Sequence, residues 1–404
     1  MKKIVLVLLI TSLFTSCKED FDNKLQIGTY RAVLKVQDNK DLPFIFEVSD
    51  NETLKIFNAE EVISVDEIEY RNDSVFINFP VYEGYIAAKI NNGKLEGSYI
   101  KESLDRVVPL SANKSSERFV ISERLTKYNI NGNWETVFSK GIEEDEYIAK
   151  GIFKQEGNNV NGTFRTTTGD YRYLEGVLNG DQLSLSTFDG AHAFLFTATV
   201  TDSTLDGYFY SGNHWKEPFT AKFNPDYELP DSDSLTFLKE GYDKIAFSFP
   251  DLSGNMVSLD DERFKDKVVL VQIMGTWCPN CLDESRFYSE YYKNNGNRDL
   301  EIVALAFEYA KTKERALMNI ERLQESTGIT YPILLAQVGT SSKTKANEKL
   351  PMLNNVLSYP TTIFIDKKGE VRKIHTGFNG PATGEKYTEF IEEFEDFIDL
   401  LLEE

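Results

Sequence analysis

Residues 277–281 read Trp-Cys-Pro-Asn-Cys, directly behind the apolar run Val268 to Met274. This stretch fixes how the chain can use sulfur. The chain has three cysteines, and Cys17 lies at the end of a signal-like segment. The other two thiols are three positions apart and cannot staple distant parts of a fold together. They can form a small, reversible disulfide.

An apolar run bounded by turn residues reads as a buried strand. Gly275 and Thr276 break it, and Pro279 is tolerated in a first helical turn, where its missing N–H would be unsatisfied anyway. Cys281 to Tyr292 then reads as a helix, with Cys278 at its N-terminus. The helix dipole and free backbone N–H groups there favour a thiolate, the species that attacks a disulfide sulfur. Cys281, one turn further in, is placed to resolve the mixed disulfide. Two plainer uses compete. A structural zinc site takes about four Cys or His ligands, but His192, His214 and His375 have no ligand spacing. An inert core pair fits poorly with the adjoining Trp277, Pro279 and strand.

From Ala246 to Glu404 the sequence resembles the TlpA/ResA-type thioredoxin-like thiol-disulfide oxidoreductases. The pieces come in that family's order: Asp251 to Leu259 as an opening hairpin, Lys267 to Val271 as the first central strand, then Trp-Cys-x-x-Cys. Ser358-Tyr-Pro-Thr-Thr-Ile-Phe-Ile-Asp366 follows as the cis-proline loop and its strand, and Lys367 to Glu370 as the turn into the last strand, Val371 to His375. The resemblance implies a thioredoxin fold with Cys278 and Cys281 as a redox-active disulfide. It implies a cis Pro360 that, with Trp277 and Tyr359, positions a substrate strand. It also implies a proton-carrying Glu284. On a helix, i and i+3 share a face, so Glu284 lies on the side of Cys281; a carboxyl buried there has a raised pKa and can shuttle the resolving thiol's proton.

The sequence departs from the pattern in places. Gln272 stands where thioredoxin has a buried aspartate. Ser285 and Arg286 replace an apolar residue and proline, and Tyr359 is bulkier than the usual small residue. Thr312 to Ser326 reads as an amphipathic helix, and Thr340 to Asn355 as a loop with short helical pieces bordering the active-site rim. Pro279-Asn280 brings no positive charge to the thiolate, which argues against a strong oxidant; the resemblance implies a reductase.

At the start, Lys2 and Lys3 precede an apolar stretch, Ile4 to Phe14, that is too short to span a bilayer and fits a signal-peptide core. Phe14-Thr15-Ser16-Cys17 resembles a bacterial lipobox, which implies lipidation at Cys17 and a membrane anchor in the cell envelope. Lys18-Glu19-Asp20-Phe21-Asp22 is similar to an acidic export tag for the outer membrane surface, or is a plain hydrophilic tether. No other apolar segment is long enough to cross a membrane.

The 404 residues suffice for two or three domains. A net charge of −21 argues against nucleic acid, whose phosphates would be repelled. Residues 25–223 read as β, with short alternating runs between Gly, Asn and Asp turns, as in Asp73 to Phe79 and Ala193 to Val200. Ile27-Gly-Thr-Tyr30 echoes Asn131-Gly-Asn-Trp134, and Asn92-Gly93 echoes Asn179-Gly180 more weakly, so one large barrel or two small ones fit. Trp134, Tyr208, Tyr210 and Trp215 read as core residues, and a ligand pocket inside the β region is compatible with a closed β fold.

The sequence therefore predicts a multidomain chain. Residues 1–16 are a signal peptide, 17–24 a tether, and 25–223 an all-β barrel or sandwich region. Residues 224–245 are a linker, and 246–404 an α/β thioredoxin fold. The expected activity is reduction of substrate protein or peptide disulfides. No nucleotide-binding motif is present, so no cofactor is expected and a redox partner has to supply electrons. A binding lipoprotein with an accessory thioredoxin-like domain is the alternative. A peroxidase is disfavoured, because peroxidatic cysteines sit in a different local motif.

Overall fold

The alternating runs of the first half form two antiparallel sheets that each curl into a barrel. The computed structural model describes residues 24–50, 52–121, 126–295 and 298–404; Cys17 and the signal segment lie outside them. The first sheet comprises β1 (Gly28–Lys35), β2 (Asp41–Val48), β3 (Leu54–Asn58), β4 (Glu61–Val65), β5 (Glu67–Arg71), β6 (Ser74–Asn78), β7 (Tyr85–Asn91), β8 (Lys94–Lys101) and β9 (Arg106–Lys114). Its strand order is β4-β3-β2-β1-β9-β8-β7-β6-β5. The two edge strands are consecutive in the chain, with only Asp66 between them, so the sheet wraps round on itself. Ile56 of β3 and Ile77 of β6, from opposite ends of that order, face one apolar interior.

The second sheet comprises β10 (Gly132–Phe138), β11 (Tyr147–Glu156), β12 (Asn159–Thr166), β13 (Gly169–Asp170), β14 (Leu174–Asn179), β15 (Gln182–Phe188), β16 (Ala193–Val200), β17 (Thr204–Ser211) and β18 (Trp215–Phe223). β11 pairs with both β10 and β12, and β10 pairs with β18, so eight strands close completely and β13 hangs off β12 as a two-residue hairpin arm. Full closure removes the exposed edges that invite other chains. The interior is filled with rings: Phe138, Phe164, Phe196, Phe209 and Phe219 contact one another in edge and stacked arrangements, and Trp134 is fully buried. This packed aromatic interior fills the second barrel and leaves no room for a ligand pocket inside it. Tyr210 is buried as expected, but Tyr208 and Trp215 are 44% and 41% exposed, because they point outward on their strands.

The echo between the halves has a structural meaning. Gly28 and Gly132 each open the first strand of a barrel with positive φ (130° and 106°), and Tyr30 and Trp134, two residues on, are each fully buried. The barrels pack on each other through Phe188, whose ring lies 4.3 Å from Phe44 and 5.1 Å from Tyr99.

The last part begins with a small antiparallel pair, β19 (Ser248–Pro250) and β20 (Met256–Ser258). The central sheet follows, from β21 (Val268–Met274), β22 (Leu300–Phe307), β23 (Ile333–Gln337), β24 (Thr361–Ile365) and β25 (Val371–Thr376), ordered β23-β22-β21-β24-β25. β21, β22 and β23 run parallel, β24 is antiparallel to β21, and β25 is antiparallel to β24. Four helices accompany it: α1 (Pro279–Asn295), α2 (Lys313–Thr327), α3 (Lys343–Lys349) and α4 (Glu385–Glu403). Every residue of β21 and β22 is buried, as expected of strands covered on both faces. This is a thioredoxin-like sheet. α2 starts where its N-cap dictates: Thr312 Oγ1 accepts the Arg315 N–H at 3.2 Å. Among the described residues no helix is long and apolar enough to cross a membrane.

Candidate active site

The strand β21 delivers the chain to the sheet's C-terminal edge, where α/β folds hold their sites. Gly275 then lets the backbone pass beneath the Trp277 ring; a Cβ at 275 would meet the indole at 2.4 Å. The Cys278 carbonyl accepts the first helical bond, from Leu282 N–H at 3.0 Å, so Cys278 stands at the mouth of α1. Cys278 and Cys281 are joined as a disulfide, with Cα atoms 5.2 Å apart. The Cys281 N–H donates to Cys278 Sγ at 3.1 Å, and such a bond favours negative charge on that sulfur once the pair is reduced. The Tyr359–Pro360 bond is cis, and the Tyr359 carbonyl lies 3.3 Å from Cys278 Sγ. The Trp277 indole N–H donates to Phe307 O at 3.0 Å, and its ring meets Tyr359 edge-on at 5.5 Å. The structure therefore brings together all the site residues expected in this part of the chain.

Glu284 is fully buried beneath the pair. Its carboxylate accepts from Gln272 Nε2 at 2.8 Å, Thr362 Oγ1 at 2.9 Å and Tyr288 Oη at 3.2 Å. Burial pushes its pKa up to about 7, although these three donors pull the other way. No cation lies within ion-pair distance of it among the described residues. The departures noted in the sequence fit this cluster: Ser285 Oγ and the Gln272 amide bond each other at 3.0 and 3.1 Å, which orients Gln272 towards Glu284.

A second buried carboxyl escaped sequence reasoning. Glu308 accepts both the Thr276 N–H at 2.8 Å and the Thr276 hydroxyl at 2.7 Å, clamping the turn that carries Trp277. Burial raises its pKa to about 7 as well, against those two bonds. The signal was present in the register. β21 and β22 pair in parallel with Met274 opposite Ala306, which puts an acid at 308 level with Thr276.

The rim of the site is built by the second barrel. Its β12–β13 turn touches all three loops around the disulfide. Ser358 Oγ donates to Thr168 O at 2.8 Å, Asn280 Nδ2 to Asp170 O at 3.1 Å, and Gly380 N–H to Asp170 Oδ2 at 2.7 Å. Gly169, at φ +142°, passes so close that a Cβ would meet Asn280 Nδ2 at 2.0 Å. Next to the turn, Arg172 is buried among Glu61 of the first barrel, Asp189 of the second and Asp283 of α1. It is ion-paired to all three, with the Asp189 contact at 3.3 Å. Burial opposes charge on the guanidinium, which nevertheless stays firmly protonated, because the carboxylates outweigh it. Under this cover Cys278 is only 6% exposed and Cys281 is fully buried. Sequence gave no sign of Arg172, whose partners are 111 residues away on either side for Glu61 and Asp283.

A Cys-x-x-Cys disulfide at a helix mouth, faced by a cis-proline loop on this sheet, defines a thiol-disulfide oxidoreductase of the thioredoxin class. The Redoxin family model matches residues 239–389. The thioredoxin-like protein YneN of Bacillus subtilis is 31% identical over 140 residues, covering 35% of this chain and 73% of its own. The thiol-disulfide oxidoreductase ResA of Geobacillus kaustophilus is 30% identical over 145 residues, 36% of this chain and 74% of its own. A solved thiol:disulfide interchange protein of Chlorobium tepidum is 21% identical and covers 41% of this chain and 98% of its own, at a TM-score of 0.27. The chain belongs to the ResA-type thioredoxin-like family.

Proposed function

We propose that this protein is a lipid-anchored, extracytoplasmic reductase of protein or peptide disulfides. The observation that carries the chemistry is a carboxyl, Glu284, buried without a cation on the helix that bears the pair, with its pKa lifted to about 7. In the reduced enzyme the Cys278 thiolate attacks a substrate disulfide, forming a mixed disulfide and releasing one substrate thiolate. Glu284 takes the proton of Cys281, whose thiolate attacks Cys278 Sγ and frees the second substrate sulfur. The enzyme is left as the disulfide, the substrate has gained two electrons, and a redox partner has to return them. Trp277, Tyr359 and the cis Pro360 hold the substrate backbone beside Cys278. The anchor rests on the Ser16-Cys17 junction, and behind it the reading sets a tether at 17–24, a β region at 25–223, a linker at 224–245 and a thioredoxin-like domain at 246–404.

Insulin reduction by dithiothreitol tests the reading: it accelerates with the wild type and not with Cys278→Ser. Equal rates for the two would refute it. Cys281→Ala then traps the natural substrate on Cys278, and Cys17→Ser moves the protein out of the membrane fraction if Cys17 is lipidated.

A further inference from the structure

Beside Trp277 the two barrels and the thioredoxin-like sheet enclose a cleft of about 480 Å³, within the size range of small-molecule sites. Lys101 and Arg106 form one wall. They lie directly opposite each other across the β8–β9 pair, and like charges in that position are destabilising. Neither has a carboxylate within ion-pair distance among the described residues. Lys101 is 7% exposed, and its ammonium reaches one acceptor, Ala191 O at 3.1 Å.

The nearby acids act on Lys101 only from a distance and make their direct contacts with other groups. Glu83 accepts from Ser103 Oγ at 2.7 Å and lies 3.9 Å from Arg315. Asp189 accepts the Ala191 N–H at 2.8 Å and pairs with Arg172. Burial, with Arg106 opposite, draws the Lys101 pKa down to about 8, although Asp189 and Glu83 pull the other way. In a chain of net charge −21, two facing cations with no carboxylate in direct ion-pair contact are unusual. The opposite wall is aromatic: Phe194, Trp215, Tyr309 and Trp277 line the same space, and Trp215 is 41% exposed.

We propose that this cleft binds an organic anion, with its charged group at Lys101 and Arg106 and an aromatic or apolar body against Trp215, Phe194 and Trp277. The anion supplies the missing counter-charge, and the rings supply the apolar contact and stacking that a compact hydrophobic body takes up. The site abuts the redox pair through Trp277 but stands independently of the reductase reading.

Two dyes with the same rings test it: 8-anilinonaphthalene-1-sulfonate, which is anionic, and N-phenyl-1-naphthylamine, which is neutral. In fluorescence titrations the anionic dye binds at least about tenfold more tightly. Lys101→Met and Arg106→Gln each remove most of that preference and leave the neutral dye unchanged, while Lys101→Arg keeps it. Arg106 is partly exposed, so Arg106→Gln carries the test if Lys101→Met misfolds. Equal affinity for both dyes, or undiminished binding of the anionic dye by Arg106→Gln, overturns the proposal. Titrating Cys278→Ser in parallel separates binding from turnover: unchanged affinity there upholds the site whatever the insulin assay gives.

Discussion

Asp283 and Glu284 are neighbours on α1, both buried, and they have opposite surroundings. Asp283 faces the barrels and is ion-paired to Arg172. Glu284 faces the sheet and meets only neutral donors. The Asp283 carboxyl ties segments together through its ion pair with Arg172, although burial raises its pKa. A carboxyl held by an amide and two hydroxyls can gain or lose a proton near neutrality. One turn of helix thus serves assembly on one side and chemistry on the other.

The largest effect expected from breaking this contrast is on the Arg172 side. Arg172→Ala strands Glu61, Asp189 and Asp283 without their cation, and removing one partner of a buried ionic cluster costs about 3–5 kcal/mol. A urea titration at constant m-value reads it; a loss under about 1 kcal/mol would mean that water replaces the arginine without difficulty. On the other side, Glu284→Gln slows resolution of the mixed disulfide by about a hundredfold, within the usual range for a lost general base, whereas Asp283→Asn changes it by no more than about threefold. Rapid-mixing measurement of product release distinguishes the two, and equal slowing by both variants would erase the division of labour.

Stability against pH sharpens it further. The pKa of Glu284 is raised in the folded state, to about 7. The unfolded chain therefore binds fewer protons than the native one between the ordinary carboxylate range and neutrality, and the native state loses stability as pH rises through that window. The loss from this group is about 2 kcal/mol between pH 5 and 7, and it is absent in Glu284→Gln. Glu308 contributes in the same direction, so the double variant with Glu308→Gln should show a flatter profile still. The smallest effect is expected at the rim. Gly169→Ala forces the β12–β13 turn or Asn280 to shift, costs upwards of about 1 kcal/mol, and speeds alkylation of reduced Cys278 by a few-fold. Unchanged alkylation would show that the turn does not limit access.

What could be read from the sequence was what depends on near neighbours. The strand Val268–Met274, the helix behind Pro279 and the helix capped by Thr312 announce themselves by runs of a few residues. So did the alternating strands of both barrels and the glycine that opens each one. The cis Pro360 and Glu284 were legible through the family pattern around them. Helix α1 begins two residues before the expected start at Cys281 and runs to Asn295, since frayed ends carry little signal. Barrel number was not legible, because closure rests on β11 pairing with both β10 and β12, and no local periodicity encodes which strand a given strand will meet. Arg172 was invisible for the same reason: on paper it is one more arginine in a β-rich stretch. Trp215 was misread as core because a tryptophan on a strand carries no mark of which face it occupies until the sheet is closed.

The turn at Thr168 and Gly169 belongs to the same molecule as the segments beside the disulfide on which it rests. Its local concentration at the rim is therefore set by the fold and does not fall on dilution; for tethered segments such values reach the millimolar range or above. A visiting protein that approaches along this face meets Ser358 and Asn280 already hydrogen-bonded to that resident backbone.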